Sequence, residues 1–220
     1  MVLKMSPSRP SASPPTSRTA PRNTTGTAST GSALNFDEMA RPAPIPVIAA
    51  AVVLAIANYA YIDIFDKVQH ELPARLLLIG EGPDTILARR QITKKGLGDR
   101  VIFLGNQSRV EAVLPCADLF LLPSEEESFG LAALEALASG VPVIGTSGTG
   151  LVEVIEDNVN GFLCQVGDTT EMAEKGIALL TDPDRLAKFK SEAARLADER
   201  FNSDKIISEY ENYYQEVLNA

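Results

Sequence analysis

Five short apolar runs, each closed by a turn and followed by a stretch of helical character, dominate the folding options of this chain. ARLLLIG (74–80), RVIFLG (100–105), DLFLLP (118–123), VPVIGT (141–146) and GFLCQV (161–166) are nearly continuous in apolar residues. A strand covered on one face alternates apolar and polar side chains, whereas a strand covered on both faces has no need to. Helical patterns fill the gaps at 84–95, 108–115, 129–138 and 150–156, and three more follow at 169–181, 183–199 and 203–218. This alternation predicts an α/β fold: a Rossmann-like parallel sheet flanked by helices, finished by C-terminal helices. The last helix carries Ile206, Ile207, Tyr210, Tyr214, Val217 and Leu218 at helical spacing and is expected to act as a packing element.

Upstream of these runs the text changes character. More than half of residues 1–34 are Ser, Thr or Pro, and such a segment buries too little surface to offset the entropy of ordering it. Residues 1–42 are therefore expected to be a disordered tail; an Arg-bearing transit peptide is the rival reading, with no cleavage signal to mark it. Residues 43–62, APIPVIAAAVVLAIANYAYI, hold no charge over twenty positions, which is long enough to cross a bilayer as a helix. Seven of the twenty are Ala and two are Pro, so the hydrophobic drive is modest. A core element, a membrane segment and a stretch foreign to the domain all remain open for 43–61, and the domain proper is expected over 62–220.

Charge excludes one class of partner. The first fifty residues hold five basic and two acidic side chains, so the net −9 of the chain leaves −12 for the rest. Nucleic-acid affinity rests on Lys and Arg neutralising phosphates, and an acidic domain offers no such footprint. Cys116 and Cys164 lie in apolar text without metal-ligand spacing and read as small buried side chains of a reducing cytoplasm. His70, the only histidine, sits in a polar helical run, so a histidine-based triad is set aside.

Ligands of open parallel sheets bind beyond the carboxyl ends of the strands. Three turns fall there: Gly80–Gly82, then Gly105, Asn106 and Gln107 ahead of a helix that Ser108 could cap, and Ser124 to Gly130. The third is the most informative. In SEEESFGLAALEALASGVPVIGT (124–146), Glu127 precedes the helix start and Glu135 lies along it, eight residues later. Open backbone N–H groups at Phe129, Gly130 and Leu131 would favour an anion, and an equally good reading has Ser128 or Glu127 simply capping the helix. With the flexible turn at Gly148, Thr149 and Gly150, two carboxylates and an anion-favouring helix mouth describe a site for a polyhydroxylated phosphate ester, as in a nucleotide sugar.

The stretch DLFLLPSEEESFGLAALEALASGVPVIGTSGTGLVEVI resembles the donor-binding half of family 4 glycosyltransferases of the GT-B fold, including their glutamate pair with seven residues between. The likeness runs from about Ile62 to the C-terminus, and its wording is nearest to members that move N-acetylglucosamine from UDP-GlcNAc onto L-malate. It implies a retaining hexosyltransferase using a UDP-sugar, with no cofactor and no metal. Glu127 would be the catalytic glutamate contacting the donor sugar, and Glu135 would bind the ribose. Ser128, Phe129, Gly130 and Leu131 would hold sugar and distal phosphate, while Gly105, Asn106 and Gln107 would line the uracil pocket. Three departures accompany it. The acceptor-binding half is not in this text, so a partner chain or a membrane surface would have to supply it. The Arg and Lys that clamp the diphosphate are replaced by LAIANYAY (54–61), a loss of about 3 to 6 kcal/mol at ~1.5 to 3 kcal/mol per charge-assisted hydrogen bond. Thr149 stands where the family usually has the first of two glycines. A split enzyme, a nucleotide-sugar-binding module without catalysis, and a truncated gene product follow as the three expectations, in a protein placed in the cytoplasm or at its membrane.

Overall fold

The computed structural model describes residues 46–51, 59–82 and 85–219. They fall into two compact units, one ending at Asn202 and the other comprising the last helix. The expected tail at 1–42 lies outside the described residues, as do residues 52–58 of the apolar segment.

In the larger unit a six-stranded parallel sheet has the order β3-β2-β1-β4-β5-β6. The strands are β1 (Val47–Ala51), β2 (Arg75–Ile79), β3 (Val101–Gly105), β4 (Leu119–Leu122), β5 (Val143–Thr146) and β6 (Gly161–Cys164). The five expected runs all became strands. The sixth, β1, comes from the apolar segment left open above and is central: Ile48 lies opposite Leu76 on one side and Leu119 on the other. The sheet therefore begins upstream of Ile62. No helix among the described residues is long and apolar enough to cross a membrane.

Alternate residues of each strand feed two separate cores, which is why the runs are apolar throughout. Ile48, Leu76, Leu78, Leu119 and Leu121 face one cluster with α1 (Ala60–Glu71), α2 (Thr85–Lys94) and α5 (Thr169–Leu180). Ala49, Leu77, Phe120, Leu122 and Val143 face the other, with α3 (Val110–Val113), α4 (Leu131–Ala138) and α6 (Pro183–Phe201). Asp168 caps α5 and Asp182 caps α6, each through a carboxylate oxygen accepting from first-turn amides. Asp118 ties strand to helix at the amino end of the sheet. One of its oxygens accepts from Val47 N–H at 2.9 Å and the other from Lys190 Nζ at 2.7 Å.

Three local expectations are corrected. Residues 150–156 form only a four-residue 3-10 turn, Gly150–Glu153, because Val154 and Ile155 turn into the core. Ser108 does not cap α3, which starts after Arg109 with no side-chain cap. The second unit, α7 (Ser203–Asn219), has no buried residue, and Ile207, Tyr210, Tyr214, Val217 and Leu218 stay exposed. An amphipathic helix buries its stripe only against another apolar surface, and α7 is the only part of its unit among the described residues.

Candidate functional site

The strand order reverses direction between β1 and β4, and a crevice opens at such a point beyond the strands' carboxyl ends. The loop after β4, at the carboxyl end of the sheet beside this switch point, carries Glu127. Its course is fixed from β5 and the turn that follows. Thr146, fully buried, donates its hydroxyl to Ser124 O at 2.6 Å, and Gly150 N–H donates to Glu127 O at 2.7 Å. Gly150 lies so near this loop that a Cβ there would sit 2.1 Å from Ser128 O, so only glycine allows the two backbones to meet.

Glu127 folds back on its own loop, with Oε1 accepting from Gly130 N–H at 3.2 Å. The Gly130 amide thus has the glutamate as its partner in this structure. Helix α4 starts at Leu131, two residues later than expected, because Gly130 has φ +92 and cannot continue a right-handed helix. A side chain at 130 is doubly excluded, as its Cβ would meet Leu151 Cδ2 at 2.5 Å. Phe129 is held edge-on by Phe201 of α6, ring centroids 5.9 Å apart, while the side chains of Ser128 and Leu131 are exposed.

Glu135 stands in the second turn of α4. Its side chain is exposed, and only partial desolvation by its surroundings, with the negative charge of Glu111 on α3, holds its carboxyl above the usual range. Thus Glu127 and Glu135 flank the start of α4, one in the loop before it and one along it, as the spacing implied. Glu111 is the neighbour that sequence reasoning missed. Nothing in its spacing from Glu135 signals the approach, which depends on α3 folding beside α4.

The loop after β3 is built against the turn after β2. Gly80 N–H donates to Gly105 O at 2.8 Å, and Glu81 N–H donates to Asn106 Oδ1 at 3.1 Å. Gln107 turns inward, its Nε2 donating to Leu104 O at 2.6 Å. Gly105 therefore shapes this turn through its carbonyl, while the side-chain amides of Asn106 and Gln107 serve the scaffold. The expected basic pair falls at 54–61, of which 54–58 lie outside the described residues. No group of three or more metal-ligating side chains is found among the described residues.

A parallel sheet with a glutamate pair about a helix start at its switch point defines a class that sequence comparison identifies. The chain belongs to the glycosyl transferases group 1 family, whose model matches residues 60–196. It is 44% identical over 157 residues to the N-acetyl-alpha-D-glucosaminyl L-malate synthase of Bacillus anthracis, covering 71% of this chain and 41% of that protein. It is also 37% identical over 134 residues to a D-inositol 3-phosphate glycosyltransferase of Rhodococcus erythropolis, covering 58% and 30% respectively. Among solved structures, Anabaena HepE in complex with UDP superposes with a TM-score of 0.72 at 26% identity, over 78% of this chain and 49% of that one. The chain spans less than half the length of each of these relatives.

Proposed function

We propose that the sheet-bearing unit is the donor-binding domain of a retaining glycosyltransferase that uses UDP-GlcNAc and transfers its sugar to L-malate. The observation that carries this reading is the placement of Glu127 and Glu135 on either side of the α4 start, at the switch point of the sheet. Support comes from the Bacillus anthracis relative, whose name gives sugar and acceptor, and from HepE, which was solved with UDP.

In this reading Glu135 accepts hydrogen bonds from the two ribose hydroxyls, and a vicinal diol is a natural partner for a carboxylate. Glu127 exchanges partners when the donor enters. Its Oε1 leaves Gly130 N–H for a hydroxyl of the sugar, and the freed amide, with those of Phe129 and Leu131 at the positive end of α4, takes the distal phosphate. Gly105, Asn106 and Gln107 border the uracil. The acceptor hydroxyl attacks C1 on the face that the diphosphate leaves. The C1–O bond to UDP breaks as the new C1–O bond forms, and the acceptor proton passes to a diphosphate oxygen. No protein nucleophile, metal or cofactor enters this scheme. The acceptor surface comes from a partner chain or a membrane surface.

The test mixes the chain with the acceptor-binding half of the Bacillus anthracis relative, UDP-GlcNAc and L-malate, and follows product by mass spectrometry. Expected are transfer by the wild type, retention of the α-anomeric coupling by NMR, and loss of turnover in Glu127→Ala. Equal inertness of both proteins defeats the transferase reading. A second reading, a donor-binding module without catalysis, is favoured by LAIANYAY replacing the basic pair. It predicts that UDP binds while transfer never occurs.

A further inference from the structure

We propose that Thr149 is a positioning residue for the donor site: through its hydroxyl it stiffens the turn on which the Glu127 loop rests. The proposal deepens the donor-site reading above and depends on it for the binding consequence, although its mechanical part stands alone.

Thr149 closes the turn after β5 from both sides. Its Oγ1 donates to Thr146 O at 3.0 Å and accepts from Leu151 N–H at 3.3 Å, capping the Gly150–Glu153 turn. Its backbone is extended, φ −117 and ψ 178, so a β-branched side chain is accommodated without strain. The two residues that follow meet the loop opposite, alongside the Thr146 hydroxyl bond to Ser124 O. Gly150 N–H holds Glu127 O, and the Ser128 carbonyl lies where a Cβ at 150 would sit. Leu151, fully buried, brings its Cδ2 against Gly130. One hydroxyl thus registers Gly150 against Glu127 and Leu151 against Gly130, the same two loop residues that Glu127 Oε1 joins. A glycine at 149 has no side chain to make either bond and would leave the turn with more conformations to lose on binding. Where the chain lacks the basic pair, a turn already ordered lowers the entropic cost of closing the site on the diphosphate.

The experiment compares wild type, Thr149→Val and Thr149→Ser in the full chain. Valine keeps the shape and the β-branch and loses both hydrogen bonds; serine keeps the hydroxyl. Two readouts are taken: hydrogen exchange of the Gly150 and Gly130 amides without ligand, and UDP affinity by calorimetric titration. Thr149→Val is expected to speed Gly150 exchange and weaken UDP binding, each about fivefold to tenfold, as the loss of one or two ordinary hydrogen bonds implies. Thr149→Ser is expected to return both to within about twofold of wild type. Unchanged exchange in the valine variant overturns the proposal. So does a lower melting temperature with unchanged UDP affinity, which marks a purely structural residue. A wild type that binds no UDP removes the donor-site reading and with it the binding consequence, and the exchange rates alone then decide whether Thr149 holds the Glu127 loop.

Discussion

Carboxylates stand at both ends of the sheet, and they are treated in opposite ways. At the amino end Asp118 gives one oxygen to the Val47 amide and the other to Lys190, so β1, β4 and α6 are joined through one side chain. At the carboxyl end the exposed Glu135 is partly desolvated and faces the charge of Glu111, and Glu127 gives an oxygen to an amide of its own loop. A carboxylate with fixed protein partners stabilises a fold. One whose charge the fold disfavours, beside a switch point, is a candidate partner for an arriving ligand.

The largest expected effect breaks the backbone contact that aligns the site. Gly150→Ala drives a Cβ into the Ser128 carbonyl, where neither backbone can yield cheaply, and should destabilise the domain by ~3 kcal/mol in urea unfolding. Asp118→Ala comes next. Loss of its bonds to Val47 and Lys190 should cost about 1.5 to 3 kcal/mol while UDP affinity stays at the wild-type level. An Asp118 variant that lost donor affinity at unchanged stability would erase the distinction between the two ends.

Glu135→Gln sharpens the same contrast with the smallest change in stability. The folded state raises the Glu135 pKa, so it holds that proton more tightly than the unfolded chain does. The stabilisation is complete below the unfolded value and is lost as pH rises through the higher folded value. Glu135→Gln removes this loss. Thermal melts at about pH 4 and about pH 7 should show a smaller pH difference for the variant, with neutral-pH stability equal to or above wild type. A marked drop in stability at neutral pH would make Glu135 a structural residue.

Much of this was legible in the chain, and the parts that were not have physical reasons. The five strands flanked by helices declared themselves because a strand buried on both faces needs apolar residues at every position. The sixth, VIAAA, did not, because its alanines carry little hydrophobic signal and its flanks extend the uncharged run to membrane length. It is nonetheless the centre of the sheet, where Ala49 and Ala50 are fully buried between two layers of helices. Cys164 was readable as inert, and burial pushes its thiol up to about 11; Cys116 is only half-buried. The glutamate pair was visible from spacing, whereas the contact of Gly150 with Ser128 and the wedge of Leu151 against Gly130 arise between segments some twenty residues apart. Gly130 itself hid the true helix start, since its left-handed backbone leaves no mark on the periodicity of the residues beyond it.

Titration calorimetry of the full chain with UDP, on wild type and Glu135→Ala, tests the central claim most directly. A nucleotide-sugar donor site predicts saturable binding by the wild type and binding about tenfold or more weaker in the variant, as loss of charge-assisted bonds to the ribose requires. No heat from the wild type at millimolar UDP, or equal affinity in both proteins, would contradict it.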